Sequence, residues 1–286
     1  MNIFINEKPA EITLDTEKTL GDVLSGIEQW IASTGNRIQR ISINDRDVPG
    51  DELEKVFPLE INEIEKMDVF ISSWRELAAE ALTDLYETCV LYGNAAFEER
   101  SQIIADWKNC SAARFLASDI CDLYNLALRT LNGDGLPLSD FTVLIEERLR
   151  EIADPVKEIA KMESQVRIIA DRMGEFPLDM QTGKDRRASE TVQLFSGIGE
   201  KLFRIFFIYK SEGLLQDTFE IDGLPVRTFI DDFIAALKEL STAYENRDTV
   251  LAGDIAEYEL APRLLEIYSA LKNITISDLP VLSMPL

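Results

Sequence analysis

Asp254 and Glu257 lie three residues apart, so on a helix they share a face and could together hold a divalent cation. Asp119 with Asp122, and Glu151 with Asp154, repeat that spacing. Three carboxylates drawn from different helices around one polar pocket would make a magnesium site able to act on phosphorylated small molecules. An acidic helical sequence produces such pairs freely, so the spacing alone defines no metal site, and Asp254 and Glu257 are only the best of the weak candidates. Asp231-Asp232 lacks the third aspartate of a prenyl-diphosphate site and reads as first-turn acid favoured by a helix dipole. Gln181-Thr182-Gly183-Lys184 resembles the end of a phosphate-binding loop, but Leu178 stands where the first glycine is needed and Asp185 replaces the Ser or Thr.

The missing residue types exclude more. There is no histidine among the 286 residues. Ser-His-Asp and Cys-His catalysis, histidine acid–base work, Glu-x-x-His metal sites and Cys₂His₂ zinc sites are therefore absent. Cys89, Cys110 and Cys121 are odd in number and widely spaced in apolar-periodic segments, which predicts reduced core or near-core thiols. No catalytic residue and no cofactor is expected. Arg204 stands inside an apolar run, Leu202 to Tyr209. A guanidinium there must pair with a carboxylate, with Asp254 or Glu257 as the expected partner, or reach solvent along one edge.

A net charge of −23 argues against binding a phosphate backbone or an anionic membrane, so neither nucleic acid nor membrane is an expected partner. It leaves room for a basic protein partner. The N-terminus shows no basic stretch followed by an apolar one, and no run approaches the length needed to span a bilayer, which predicts a cytoplasmic protein.

The elements that would carry these residues fall into two kinds. From Met1 to about Ser72 the pattern is strand (Ile3 to Ile5), turn, strand (Ile12 and Leu14), helix, strand (Ile41 and Ile43), polar turn, short strand at Val48, a helical turn near Phe57, and a strand at Val69 and Ile71. Thr19 is the expected N-cap of the helix, with Asp22 able to reach back to it, and Gly35 its expected end. This order, with Met1-Asn2-Ile3-Phe4-Ile5, Thr19-Leu20-Gly21-Asp22-Val23 and Met67-Asp68-Val69-Phe70-Ile71, resembles the ubiquitin-like β-grasp family. The resemblance covers a quarter of the chain and implies a compact recognition module. Conjugation is not implied, because Ile71-Ser72-Ser73-Trp74 runs on into a helix with no diglycine.

From residue 73 to 286 the sequence reads as long amphipathic helices. They should start near Ser73, pause at Gly93-Asn94 and Asn132 to Gly135, break or kink at Pro155, and bend at Pro262. Gly174 to Gly183 reads as a polar connection and Gly213 to Leu224 as a loop. Asp248 should cap a last long helix that buries Leu251, Ile255, Tyr258, Leu265 and Tyr268, with an irregular tail from Ile274. The expected fold is α+β: a β-grasp domain, 1–72, followed by an elongated bundle of about six helices, 73–286. The expected function is non-enzymatic protein binding, as an adapter, scaffold or assembly-associated factor. The alternatives are the carboxylate-only magnesium enzyme and a self-associating structural subunit, a homo-oligomer.

Overall fold

The structure is a computed structural model that describes residues 1–14, 16–33, 36–215, 218–274 and 282. The expected helix end at Gly35, and the tail to Leu286 apart from Ile274 and Leu282, lie outside the described residues. The chain divides into two compact units, residues 1–146 with 211–213, and residues 147–210 with 214–286.

The first unit opens with a mixed five-stranded sheet. Strands β1 (Asn2–Ile5) and β2 (Lys8–Pro9) form a hairpin whose turn residues, Asn6 and Glu7, both have positive φ. Such a turn matches the natural twist of paired strands. Helix α1 (Leu20–Ser33) follows, then β3 (Asn36–Ile43) and β4 (Arg46–Val48), joined through Asn44 and Asp45, again with positive φ. A short helix, α2 (Leu53–Val56), precedes β5 (Lys66–Ser73). The strand order is β2-β1-β5-β3-β4, with β1 parallel to β5 and the other neighbours antiparallel. Alternation places Ile3, Ile41, Met67 and Val69 on one face, where they bury Leu20, Val23, Ile27 and Ile31 of α1. Thr19 Oγ accepts from the Asp22 N–H while Asp22 accepts from the Thr19 N–H, a reciprocal cap that fixes the start of α1.

The second strand differs from expectation. It ends at Pro9 and does not reach Ile12 or Leu14. The Ala10 N–H still donates to the Ile3 carbonyl at 2.9 Å, after which the chain leaves the sheet. A proline contributes no donor to a ladder, so the hairpin is weakest there.

Helix α3 (Trp74–Asn94) continues directly from β5. Its cap is a reciprocal box, with Ser73 Oγ accepting from the Glu76 N–H and the Glu76 carboxylate accepting from the Ser73 N–H. Then come α4 (Phe97–Asn109), α5 (Ser111–Asp119), α6 (Cys121–Leu131) and α7 (Leu138–Ala153). The ion pair of Arg37 with Asp119 and the Gln39–Glu80 hydrogen bond tie β3 to these helices.

Beyond Ala153 the helices are α8 (Pro155–Lys161), α9 (Glu163–Gly174), α10 (Phe176–Gln181) and α11 (Asp185–Ser211). A two-residue hairpin follows, β6 (Glu220–Ile221) with β7 (Leu224–Pro225), turning on Asp222 and Gly223 at positive φ. The last helices are α12 (Val226–Glu245), α13 (Thr249–Asp254) and α14 (Ala261–Lys272), the last two joined through a π-helical segment, Ile255–Leu260. Phe195, Leu202, Phe229, Phe233, Leu260 and Leu264 belong to the core of the second unit.

Among the described residues the body therefore has twelve helices, α3 to α14, several of them short, rather than six. The extra breaks have local causes. Cys110 is extended and its sulfur accepts from the Ala113 N–H, capping α5. Ile120 is also non-helical, at φ −136°. Asp154 caps α8 ahead of Pro155. Helix α10 replaces the expected connection, started by Pro177 in its first turn and held by the fully buried Phe176. Leu251, Tyr258 and Leu265 were expected to be buried but are exposed, Tyr258 by 66%. Pro262 has no N–H for the carbonyl one turn back, and the wider turn before it breaks the 3.6-residue count. The cysteines also divide: Cys89 is buried and its thiol is pushed up to about 12, whereas Cys121 is exposed. No helix among the described residues is long and apolar enough to cross a membrane.

Candidate functional site

The carboxylates singled out by spacing do not come together. Asp254 is exposed at the end of α13, and Glu257 is half-buried in the π segment, where the neighbouring Tyr258 hydroxyl donates to it. Asp119 is taken up by Arg37 and by the Ser118 hydroxyl. Among the described residues no three Cys, Asp or Glu side chains form a group that could hold a metal ion.

Arg204 does meet a carboxylate, and it is Glu151 of α7 rather than Asp254 or Glu257. Its Nε and Nη2 donate to Glu151 Oε2 and Oε1, both at 2.8 Å. Next to this fork, Lys201 Nζ lies 2.9 Å from Glu147, 3.1 Å from Glu158 and 3.8 Å from Glu151. Lys161 also donates to Glu158, at 2.6 Å. Glu151 and Glu158 are buried, so their charges need these partners. Burial pushes the Glu151 carboxyl up, to about 8; Glu147 and Glu158 add to the rise, and Arg148 and Lys201 oppose it. Burial also works against ionised Glu158, but the hydrogen bonds from Lys161 and Lys201 outweigh it and hold that carboxyl below its usual range. The Lys201 ammonium stands among these three glutamates and offsets their charge. This cluster is an internal ion network that joins α7, α8 and α11. Sequence reading missed Lys201. Its signal was a lysine one turn before Arg204, hidden because the matching glutamates are split by Pro155.

A different kind of site lies in the first unit. A groove of about 640 Å³ runs between the Lys8–Leu14 segment and one side of α1. Its apolar lining includes Ile5, Ile12, Leu14, Ile27 and Trp30, with Trp30 52% and Ile12 39% exposed. Gly26 opens the α1 wall, since a Cβ built there would meet nothing within 4 Å. Among the described lining residues Glu11, Glu17 and Asp22 stand against Lys8, with Lys18 close enough to act on the Asp22 charge. The backbone N–H groups of Lys18 and Thr19 hold the Asp22 carboxyl below its usual range, so it stays charged. The groove exists because β2 stops at Pro9. Sequence periodicity put Ile12 and Leu14 in a strand and so closed it; the readable signals were Trp30 outside the apolar stripe of α1 and a mid-helix glycine at 26.

Fold and site together describe an α+β chain: a mixed five-stranded sheet with one helix across it, then a largely helical body, with an apolar groove on the sheet unit and an ion network among the later helices. Residues 1–73 match the family described as TP0873 N-terminal domain, and residues 157–270 match one described as a domain of unknown function, DUF8042. An uncharacterized protein of Treponema pallidum (strain Nichols) is 22% identical over 262 residues, covering 92% of each chain. No solved structure matches.

Proposed function

We propose that this chain is a non-enzymatic protein-binding factor, an adapter or assembly-associated scaffold, whose recognition module is the N-terminal sheet unit. The observation that carries the reading is the apolar groove against α1, with Trp30 and Ile12 open to solvent and acidic side chains at its rim. The β2-β1-β5-β3-β4 order with parallel β1 and β5 supports a β-grasp reading of residues 1–72 on a helical body, 73–286. The surplus of acid supports a basic protein as partner over nucleic acid or membrane, in the cytoplasm. The Lys201 ammonium among the three glutamates weighs against the magnesium-enzyme alternative.

The test is affinity capture from the native cell extract with two full-length baits, the natural chain and Gly26→Leu. The added side chain occupies the groove, and leucine favours the helix over glycine. A partner retained by the first bait and lost by the second is the expected result. Identical partners on both baits would remove the groove from the function.

A further inference from the structure

The wall of the groove opposite α1 presents its backbone to solvent. Among the described residues, none of the backbone N–H or C=O groups of Glu11, Ile12, Thr13 and Leu14 has a hydrogen-bond partner. Glu11, Ile12 and Thr13 are exposed, so these groups are met by water and are free to exchange it for another chain. Here four successive residues offer donors and acceptors beside an apolar trough, at the open end of a sheet where β2 has a neighbour on one side only. Apolar lining alone would accept a helix or a loose chain. Apolar lining beside a free backbone edge fits an extended chain, which satisfies the edge with its own peptide groups and lays every second side chain into the trough. The charges choose among extended chains. Among the described residues lining the groove Glu11, Glu17 and Asp22 outnumber Lys8, and even with Lys18 beside Asp22 the rim is acidic, within a chain of net charge −23.

We propose that the groove takes an extended peptide of alternating apolar residues flanked by Lys or Arg, which pairs as an added strand with Glu11–Leu14 and packs its apolar side chains against Ile27 and Trp30. The inference rests on the protein-binding reading above and gives that site its partner chemistry. Residues with small side chains at the centre suit the space left by Gly26. Basic ends meet the acidic rim and speed encounter with it.

Trp30 reports occupancy, because Trp74 and Trp107 are buried and Trp30 is the half-exposed tryptophan. The probe is a capped peptide with a Val-Thr-Val-Thr-Val core and two lysines at each end, titrated into the full chain while tryptophan emission is followed. A saturable blue shift is expected. The same core with glutamates at its ends should bind about tenfold more weakly or worse. A core N-methylated at alternate residues, which cannot donate along one edge, should lose binding by a similar factor. Gly26→Leu should abolish the shift while keeping or raising the thermal midpoint, which separates a filled groove from a damaged fold. No shift at millimolar peptide, equal binding of the glutamate-ended or N-methylated probes, or an undiminished shift in Gly26→Leu would each overturn the proposal. If the peptide does not bind but the natural partner is still lost with Gly26→Leu, strand addition fails and the docking reading stands. If the partner ignores Gly26→Leu, the docking reading itself fails.

Discussion

At the scale of single residues, the most demanding arrangement is Glu151. It is 1% exposed, and its two oxygens are taken by the Arg204 fork. Removing the guanidinium leaves a buried carboxyl with only the opposing charges of Arg148 and Lys201 near it, so Arg204→Ala should cost about 3–5 kcal/mol in chemical denaturation at about pH 9, where Glu151 is ionised, and less at about pH 6. A loss below ~1 kcal/mol would show that solvent reaches Glu151 readily. The same carboxyl sets a pH dependence. Its pKa in the folded chain is raised to about 8. A carboxyl raised on folding binds its proton more tightly in the native state. Its contribution is therefore fully present below the ordinary carboxylate range and is lost as pH climbs toward about 8. Stability should fall by a few kcal/mol over that range, and Glu151→Gln, which keeps the neutral form at all pH, should flatten the fall. A natural chain with no slope between pH 5 and 9 would mean that the Arg204 fork keeps Glu151 ionised throughout. Glu158 acts in the opposite sense: its carboxyl is held low, so its contribution is lost only as pH drops through the acid range.

At the scale of elements, helix ends were legible where an oxygen-bearing side chain caps them and illegible where a thiol or the backbone alone marks the break. Thr19 with Asp22, and Asp248 with the Leu251 N–H, are polar residues at readable spacings, and each starts a helix in the structure. The breaks at Cys110 and Ile120 carry no such residue, so one apolar pattern hid three helices. The π segment was invisible for a related reason: its 3.6-residue count runs smoothly from Leu251 to Leu265, yet Pro262 changes the turn that precedes it. The groove was hidden by Ile12 and Leu14, whose alternation is strand-like although the strand stops at Pro9. The packing of α13 on α10 gives a test that no sequence pattern contains. A Cβ at Gly253 would lie 2.8 Å from Pro177 Cβ and 3.0 Å from its Cγ, whereas one at Gly197 of α11 would meet nothing within 4 Å. Gly253→Ala should therefore destabilise by about 1–3 kcal/mol despite its better helix propensity. Gly197→Ala should stabilise by about 0.5–1 kcal/mol. Equal midpoints for the two variants in urea would contradict the close approach of α10 to α13.

At the scale of the whole molecule, 52 acidic residues against 29 basic ones make charge a global property as well as a local one. Like charges repel each other in the compact state, and salt relieves that repulsion. Salt also weakens exposed pairs such as Lys55–Glu52 and Arg167–Glu163, but such pairs contribute only about 0–1 kcal/mol each. The repulsion should win, so the thermal midpoint should rise by a few degrees between ~20 mM and ~300 mM NaCl. The same screening acts in reverse on a basic ligand at the acidic groove, whose affinity should fall severalfold over that range. Self-association follows the sign of stability. Phe97 is 83% and Leu91 63% exposed, and screening removes the charge repulsion that keeps such side chains on separate copies apart. Sedimentation should then find the smallest mass at low salt and an equal or larger one at high salt, while peptide binding is strongest at low salt. These opposite slopes separate a surface that repels its own copies from a groove that attracts a basic chain. A peptide affinity that rises with salt would show that the groove binds through apolar contact alone and that its acidic rim plays no part.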